Sequence, residues 1–240
     1  MDSLCNELLG LIFADADNND LIEWALVCSG WRPVAQSLLF RTITICGTFN
    51  LDYWNFLLCR NCELGRYVRA LSVRPYGRRQ YSQRKFDAIV EMLPNLRRLH
   101  ARRDTVNNIM VLRTPISSIT TLVLCTSSFH SVLHGIAPIL FPCLTFLWLI
   151  GDASCVASDP RNAMTDADYS YSGVLRWLIV DTCVYAHIVV VMHALSANPY
   201  YWNLRHLEIN GPAPSIKMFL ENCPIPASIR TVSISRGGMY

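Results

Sequence analysis

Few residues in this chain have the type and spacing to do chemistry. Cys59 and Cys62 form a Cys-x-x-Cys pair, the spacing that can bring two thiolates to one zinc ion. No second pair and no histidine at zinc spacing completes it, so two ordinary thiols on a helix surface is the better reading. His130 and His134 are four apart, which on a helix places both rings on one side. No glutamate completes a hydrolase motif and no third ligand follows, so no metal centre is expected. A glycine-rich phosphate loop, a nucleophile elbow and a kinase signature are all missing. Asp166 and Asp168 fall in the stretch 151–172, rich in Asp, Ser, Ala and Gly, which reads as a loop. It provides no apolar pocket to tune a carboxyl group. An enzyme is therefore the least favoured reading, and no cofactor is implied.

Charge points to binding instead. The formal net charge is only +3 over 240 residues. Between Arg60 and Arg103, however, twelve basic side chains stand against Glu63, Asp87 and Glu91, a local excess of nine. Such asymmetry can serve an acidic peptide or a phosphate, or it can be a solvated face. Tyr81 and Phe86 lie among these arginines, a composition that can grip single-stranded nucleic acid. Nothing else matches a nucleic-acid fold, so that role ranks low.

The elements that must present such surfaces come from an apolar chain, 52% hydrophobic and 16% charged, which can bury a sizeable core and is not globally disordered. The apolar excess also implies surface that a partner covers. Ten cysteines without a regular framework, and no basic n-region before an apolar run, fit a reduced protein of the cytoplasm or nucleus. The longest strongly apolar run, near Ile188 to Met192, is too short to span a bilayer, so a soluble protein is expected.

Helical periodicity opens the chain. Leu4, Leu8, Leu11 and Ile12 form one stripe. Asp17 to Asp20 interrupt it, and Asp20 with Glu23 resembles a capping box, so a second helix is expected from Asp20. Pro33 suits the first turn of a third helix. Three short helices bury little surface, so the first stripe and Trp31 call for a partner. Leu26 and Leu38, lying mid-stripe, are expected to pack the helices together.

These residues carry a resemblance. Leu4-Cys5-Asn6-Glu7-Leu8-Leu9, Ile12-Phe13, Asp20-Leu21, Ala25-Leu26-Val27-Cys28, Trp31-Arg32, Ala35 and Leu38-Leu39-Phe40 resemble the F-box motif in order and in spacing. The family usually has proline after the first leucine, where this chain has Cys5. The resemblance implies a three-helix F-box over residues 1–45 that docks a Skp-type adaptor, and through it a cullin. It implies that Leu4, Cys5, Leu8, Ile12, Leu21, Val27 and Trp31 make that contact.

A second pattern fills the rest. An apolar residue, two residues, an apolar residue, one residue and another apolar residue recur with their middle members at positions 71, 99, 122, 147, 178, 207 and 232. The spacings surround the leucine-rich-repeat period. Each motif should be a short strand. Helical stretches lie between them: Phe86, Ile89, Val90 and Leu93; Val132, Leu133, Ile136 and Leu140; Ile188, Val191, Met192 and Leu195; Ile216, Phe219 and Leu220. The fold class is therefore α/β: the helical motif, a helical linker over 46–66, and about seven irregular repeats over 67–240 with a parallel sheet on a concave face. The array resembles the leucine-rich repeats often found behind F-boxes, although the usual asparagine after the strand is replaced by Ser127, Asp152 and Cys183. A terminal cap is not evident. A frayed end, a covering partner and a shortened relative all remain open.

If the motif leucines point inward, the residues between them line the concave face. That face would hold Arg98, His100 and Arg102, then Phe146, Trp148 and Ile150, then Trp177, Ile179 and Asp181, then His206, Glu208 and Asn210. Arg98, His100, Arg102, Phe146, Trp148, Trp177, Ile179 and Asp181 are the expected target-binding set, with aromatic anchors at its centre. A register off by one would bury these aromatics instead. The resemblance implies a non-catalytic substrate receptor of an SCF-type ubiquitin ligase. The alternatives are a repeat scaffold that no longer binds the adaptor and, below it, a nucleic-acid-binding protein using residues 60–103. The target is not legible, and no membrane partner is expected.

Overall fold

The computed structural model describes residues 5–74, 82–102, 115–126, 129–133, 137–151, 174–182, 184–223 and 226–236. The chain divides into two compact units, Met1–Leu96 and Arg97–Tyr240.

The first unit opens with α1 (Asn6–Phe13), α2 (Asn18–Val27) and α3 (Arg32–Leu39). Asp17, not Asp20, begins α2: its carboxylate accepts from the amides of Asn19 at 2.8 Å and Asp20 at 2.9 Å, satisfying two donors that a helix start leaves open. Pro33 sits in the first turn of α3, as expected. The core of these helices is small: Leu9, Phe13, Leu21, Val34 and Ala35, with Trp24, Trp31, Leu38 and Leu39 packed around them. Phe13 anchors it, its ring 4.4 Å from that of Trp24 and 5.4 Å from that of Trp31. The stripe of Leu8, Leu11 and Ile12 is the outward face of α1, while Leu9 and Phe13, four apart, face inward.

The boundary expected at residue 45 falls inside a strand. β1 (Thr42–Cys46) pairs in parallel with β2 (Ala70–Arg74), Ile43 opposite Leu71 and Ile45 opposite Val73. Phe40-x-x-Ile43-x-Ile45 obeys the same apolar rule as the seven motifs, so the signal was present but masked by the helical pattern just before it. Gly47 takes the turn out of β1 with φ of 78°, where a side chain would be strained. α4 (Gly47–Arg60) and α5 (Cys62–Gly65) follow. Beyond β2, α6 (Gln83–Glu91) buries Phe86, Ile89 and Val90, and its Lys85 pairs with Asp52 of α4 at 2.6 Å.

The second unit is a run of parallel strands in chain order: β3 (Arg98–Arg102), β4 (Thr121–Thr126), β5 (Phe146–Gly151), β6 (Trp177–Asp181), β7 (His206–Gly211) and β8 (Thr231–Arg236). Pairing aligns like with like. Leu99, Leu122, Leu147, Leu178 and Leu207 form one row; Ala101, Leu124, Leu149, Val180 and Ile209 form the next. All ten are buried. Each large aliphatic side chain so removed from water contributes about 1.5–3 kcal/mol to the unit's stability. This is a solenoid-like α/β arrangement, in which each strand-and-helix unit packs against its neighbours. The last strand is different, because nothing lies on its far side among the described residues. Val232, at the row position of the buried leucines, is 37% exposed.

Helical segments connect the strands: short α7 (Phe129–Ser131) and α8 (Ala137–Leu140), then α9 (Tyr185–Ala197) and α10 (Ala213–Asn222). Polar groups buried among them find partners. The Tyr201 hydroxyl donates to the Leu133 carbonyl at 2.7 Å. Thr182 Oγ1 accepts from the Val184 amide at 3.1 Å and lies 2.8 Å from Nδ1 of buried His187, whose ring stacks on Phe129 at 4.1 Å. Gly151 ends β5 against this group: a Cβ there would meet Thr182 Oγ1 and would lie 2.9 Å from His187 Nδ1. Among the described residues no helix is long and apolar enough to cross a membrane.

Candidate functional site

Each unit presents a surface of its own. In the first, α1 and α2 leave apolar side chains in water. Leu8, Leu11 and Ile12 share one side of α1 by their three- and four-residue spacing; Ile22 and Leu26 share one side of α2, with Val27 beside them. Leu11 is 71% exposed and Leu26 75%. The expectation that Leu26 packs the helices is thus overturned. Phe13, Trp24 and Trp31 fill the small core with large rings, and Leu26 is not among the side chains packed there.

The adaptor set read from the sequence distributes unevenly. Cys5, Leu8, Ile12 and Val27 are exposed. Leu21 is not: at 4% exposure it belongs to the helical core, so its side chain is spent on packing. Trp31 is half-buried with its ring edge-on to Phe13. Leu4 lies outside the described residues. Leu11, Ile22 and Leu26 are exposed and were left out of the set, although helical spacing from Leu8 would have found Leu11. Cys5 precedes α1 with φ of −66° and ψ of 152°, the backbone shape a proline would impose.

In the second unit, register decides what the sheet displays. With the leucine rows buried, the alternate residues form three rows on the opposite face. The first runs Arg98, Thr121, Phe146, Trp177, His206, Thr231. The second runs His100, Val123, Trp148, Ile179, Glu208, Ser233. The third runs Arg102, Cys125, Ile150, Asp181, Asn210, Ser235. All eight residues of the target-binding set lie on this face, and the register off by one does not occur. Arg98, Arg102 and Trp177 are exposed; the other five are half-buried.

The face is organised. Trp177 and His206, paired across β6 and β7, stack with ring centroids 3.7 Å apart and planes 14° apart. Asn210 Nδ2 donates to Glu208 Oε1 at 3.1 Å, and the Ser235 hydroxyl donates to Asn210 Oδ1, so a short chain of hydrogen bonds positions the Glu208 carboxylate. Burial raises the pKa of Asp181 above the usual carboxylate value of 3.8, and the neighbouring charge of Glu208 raises it further. The Trp148 indole nitrogen is buried with no acceptor among the described residues. His206, Glu208 and Asn210 were placed on this face by the strand pattern but left out of the binding set. The Trp177–His206 stack and the Ser235–Asn210 bond cross strands and need the register, and Glu208 joins them through Asn210, two residues along the same strand.

Of the residues considered for chemistry, Cys59 lies in the last turn of α4 and Cys62 opens α5, both exposed. His134, Asp166 and Asp168 lie outside the described residues, as do Ser127, Asp152 and Cys183. No group of three metal-ligating side chains occurs among the described residues.

No family model matches this chain, and no curated protein matches it. Among solved structures it is similar to the crystal structure of a Bacteroides fragilis protein, a structural-genomics target, at 11% identity and a TM-score of 0.47, covering 99% of this chain and 74% of that one.

Proposed function

We propose that the chain is the substrate-recognition subunit of an SCF-type ubiquitin ligase, with an F-box at its N-terminus and irregular leucine-rich repeats behind it. One observation carries the reading: α1 and α2 hold more large aliphatic side chains in water than they place in their core. A free-standing three-helix unit gains nothing from that arrangement, whereas a docking unit uses aliphatic anchors of this kind. A Skp-type adaptor covers Leu8, Ile12 and Val27, joined by Leu11, Ile22 and Leu26, and a cullin is reached through it. The sheet face of the second unit receives the target protein. Mechanism is tethering: holding target and ligase together raises the effective concentration of the acceptor lysine, and other subunits carry out ubiquitin transfer. This chain then has no catalytic residue and works in the cytoplasm or nucleus.

Co-purification with a Skp-type adaptor tests this, comparing the native chain with a Leu8→Asp, Ile12→Asp double variant. Both side chains are exposed, so the variant keeps its fold. Adaptor binding by the native chain, lost in a folded variant, supports the reading. A well-folded native chain that binds no adaptor rejects it and leaves the second reading, a repeat scaffold without adaptor binding, which Cys5 in place of the family's proline favours. The nucleic-acid reading predicts oligonucleotide binding that weakens steeply with salt.

A further inference from the structure

The open sheet face of the second unit has opposite charges at its two ends. Arg98 and Arg102 project from β3, whereas Asp181 and Glu208 stand on β6 and β7. Neither arginine has an acidic partner, and neither carboxylate a cationic one, among the described residues. Between them lie Phe146 and Trp148, and beside the acids lies the Trp177–His206 stack. We propose that this face takes an extended protein segment lying across the strands, with an arginine side chain against Trp177, Asp181 and Glu208 and an acidic side chain against Arg98 and Arg102. The inference rests on the reading that this face receives a protein target, and it names the chemistry of that target.

Two features of the face support it. First, Trp177 is 45% exposed, and His206, stacked on one face of its ring, fixes the ring plane. A guanidinium is planar and weakly hydrated; it stacks on an aromatic ring while its fork of N–H groups bonds carboxylates. A lysine ammonium is compact and strongly hydrated and matches this combination less well. Second, Glu208 is oriented by Asn210, which Ser235 orients in turn, so one carboxylate is positioned before the ligand arrives. Two neighbouring carboxylates repel each other, and an incoming cation relieves that repulsion. Between the two charged ends the middle row carries half-buried Trp148, whose indole ring lies in the path of a segment crossing the strands and reports its arrival.

The spacing is also set. Neighbouring strands lie about 4.8 Å apart, so β3 is roughly 14 Å from β6 and roughly 19 Å from β7. An extended chain advances about 3.3 Å per residue, which places the acidic and arginine side chains roughly four to six residues apart. Charge of both signs also argues against a polyanion such as RNA, because the end bearing Asp181 and Glu208 would repel phosphate.

The test uses the full chain labelled with nitrogen-15 and four capped glycine–serine peptides. One carries a glutamate and an arginine five residues apart; in the others glutamine replaces the arginine, lysine replaces it, or glutamine replaces the glutamate. The indole N–H signals of Trp148 and Trp177 report binding. The arginine–glutamate peptide should shift both signals and bind at least about fivefold more tightly than either glutamine peptide, with lysine intermediate. Glu208→Gln should abolish the preference for arginine while keeping that for glutamate, and Arg98→Gln should do the reverse. Equal affinities for the arginine and glutamine peptides, an arginine preference that survives the Asp181→Asn, Glu208→Gln double variant, or no shift at Trp148 and Trp177 overturns the proposal. The peptide comparison on the native chain needs no variant to fold. Adaptor co-purification on the same preparation separates the two readings. Retained adaptor with no arginine preference rejects this inference alone, and an intact preference without adaptor binding rejects the ligase assignment alone.

Discussion

Leu147 and Leu26 are the same residue put to opposite uses. In the sheet, Leu147 sits between Leu122 and Leu178 and is fully buried. In the helical motif, Leu26 projects into water from α2. The sheet repeats one short element, and each copy covers the apolar row of the one before it. The three helices have no such neighbour of their own kind, and three large rings fill the little interior they make. A high apolar content therefore produces internal stability in one region and apolar side chains left in water in the other. The same logic reappears at the end of the array, where Val232 occupies a core position on a strand with no described successor.

Substitutions can break or sharpen that contrast. The largest effect is expected from Leu147→Ala, which leaves a cavity in a row that cannot collapse and should cost about 2–5 kcal/mol in denaturant unfolding. Leu26→Ala should stay within about 0.5 kcal/mol. Similar losses for the two would mean that Leu26 is covered in the free protein. Next is Gly151→Ala. The new methyl group has nowhere to go between Thr182 and His187, and overpacking of this kind should cost about 1–3 kcal/mol, visible as a lower unfolding midpoint. Asp17→Ala removes the acceptor of two amides at the start of α2 and should cost about 1 kcal/mol, with lost helical signal confined to the first unit. An unchanged melting curve would show that the helical motif does not depend on its cap.

The smallest effect is expected at Asp181, and its sign is informative. The folded protein holds this proton more tightly than the unfolded chain, because burial and Glu208 both disfavour the charge. Stability is therefore lost as pH rises from 3.8 through the raised folded value. Asp181→Asn should be slightly more stable than the native chain at pH 7, with the difference vanishing below about pH 3.8. A less stable Asp181→Asn at pH 7 would show that the carboxylate has a stabilising partner.

Much of the sheet was legible because strand burial has a period of two and the motif repeats. Seven middle positions, from Leu71 to Val232, all fall on strands. The eighth strand escaped because Phe40, Ile43 and Ile45 follow directly on a helix whose pattern absorbed them. The helical motif was less legible. Spacing alone groups Leu8, Leu11 and Ile12, yet does not say whether the group faces a core or water. That depends on how much interior three short helices can make once Phe13, Trp24 and Trp31 are placed.

What the sequence by itself determined is local and periodic: the alternation that makes each strand, the i, i+4 stripes that make each helix, and the identities of the residues on each face. Tertiary structure alone decided the rest. Pairing register brought Trp177 onto His206 and Ser235 within reach of Asn210, although each pair comes from two different strands. Packing volume sent Leu21 into the core and Leu26 out of it. Both outcomes depend on residues distant in sequence competing for one space, and a pattern read along a chain holds no record of that competition.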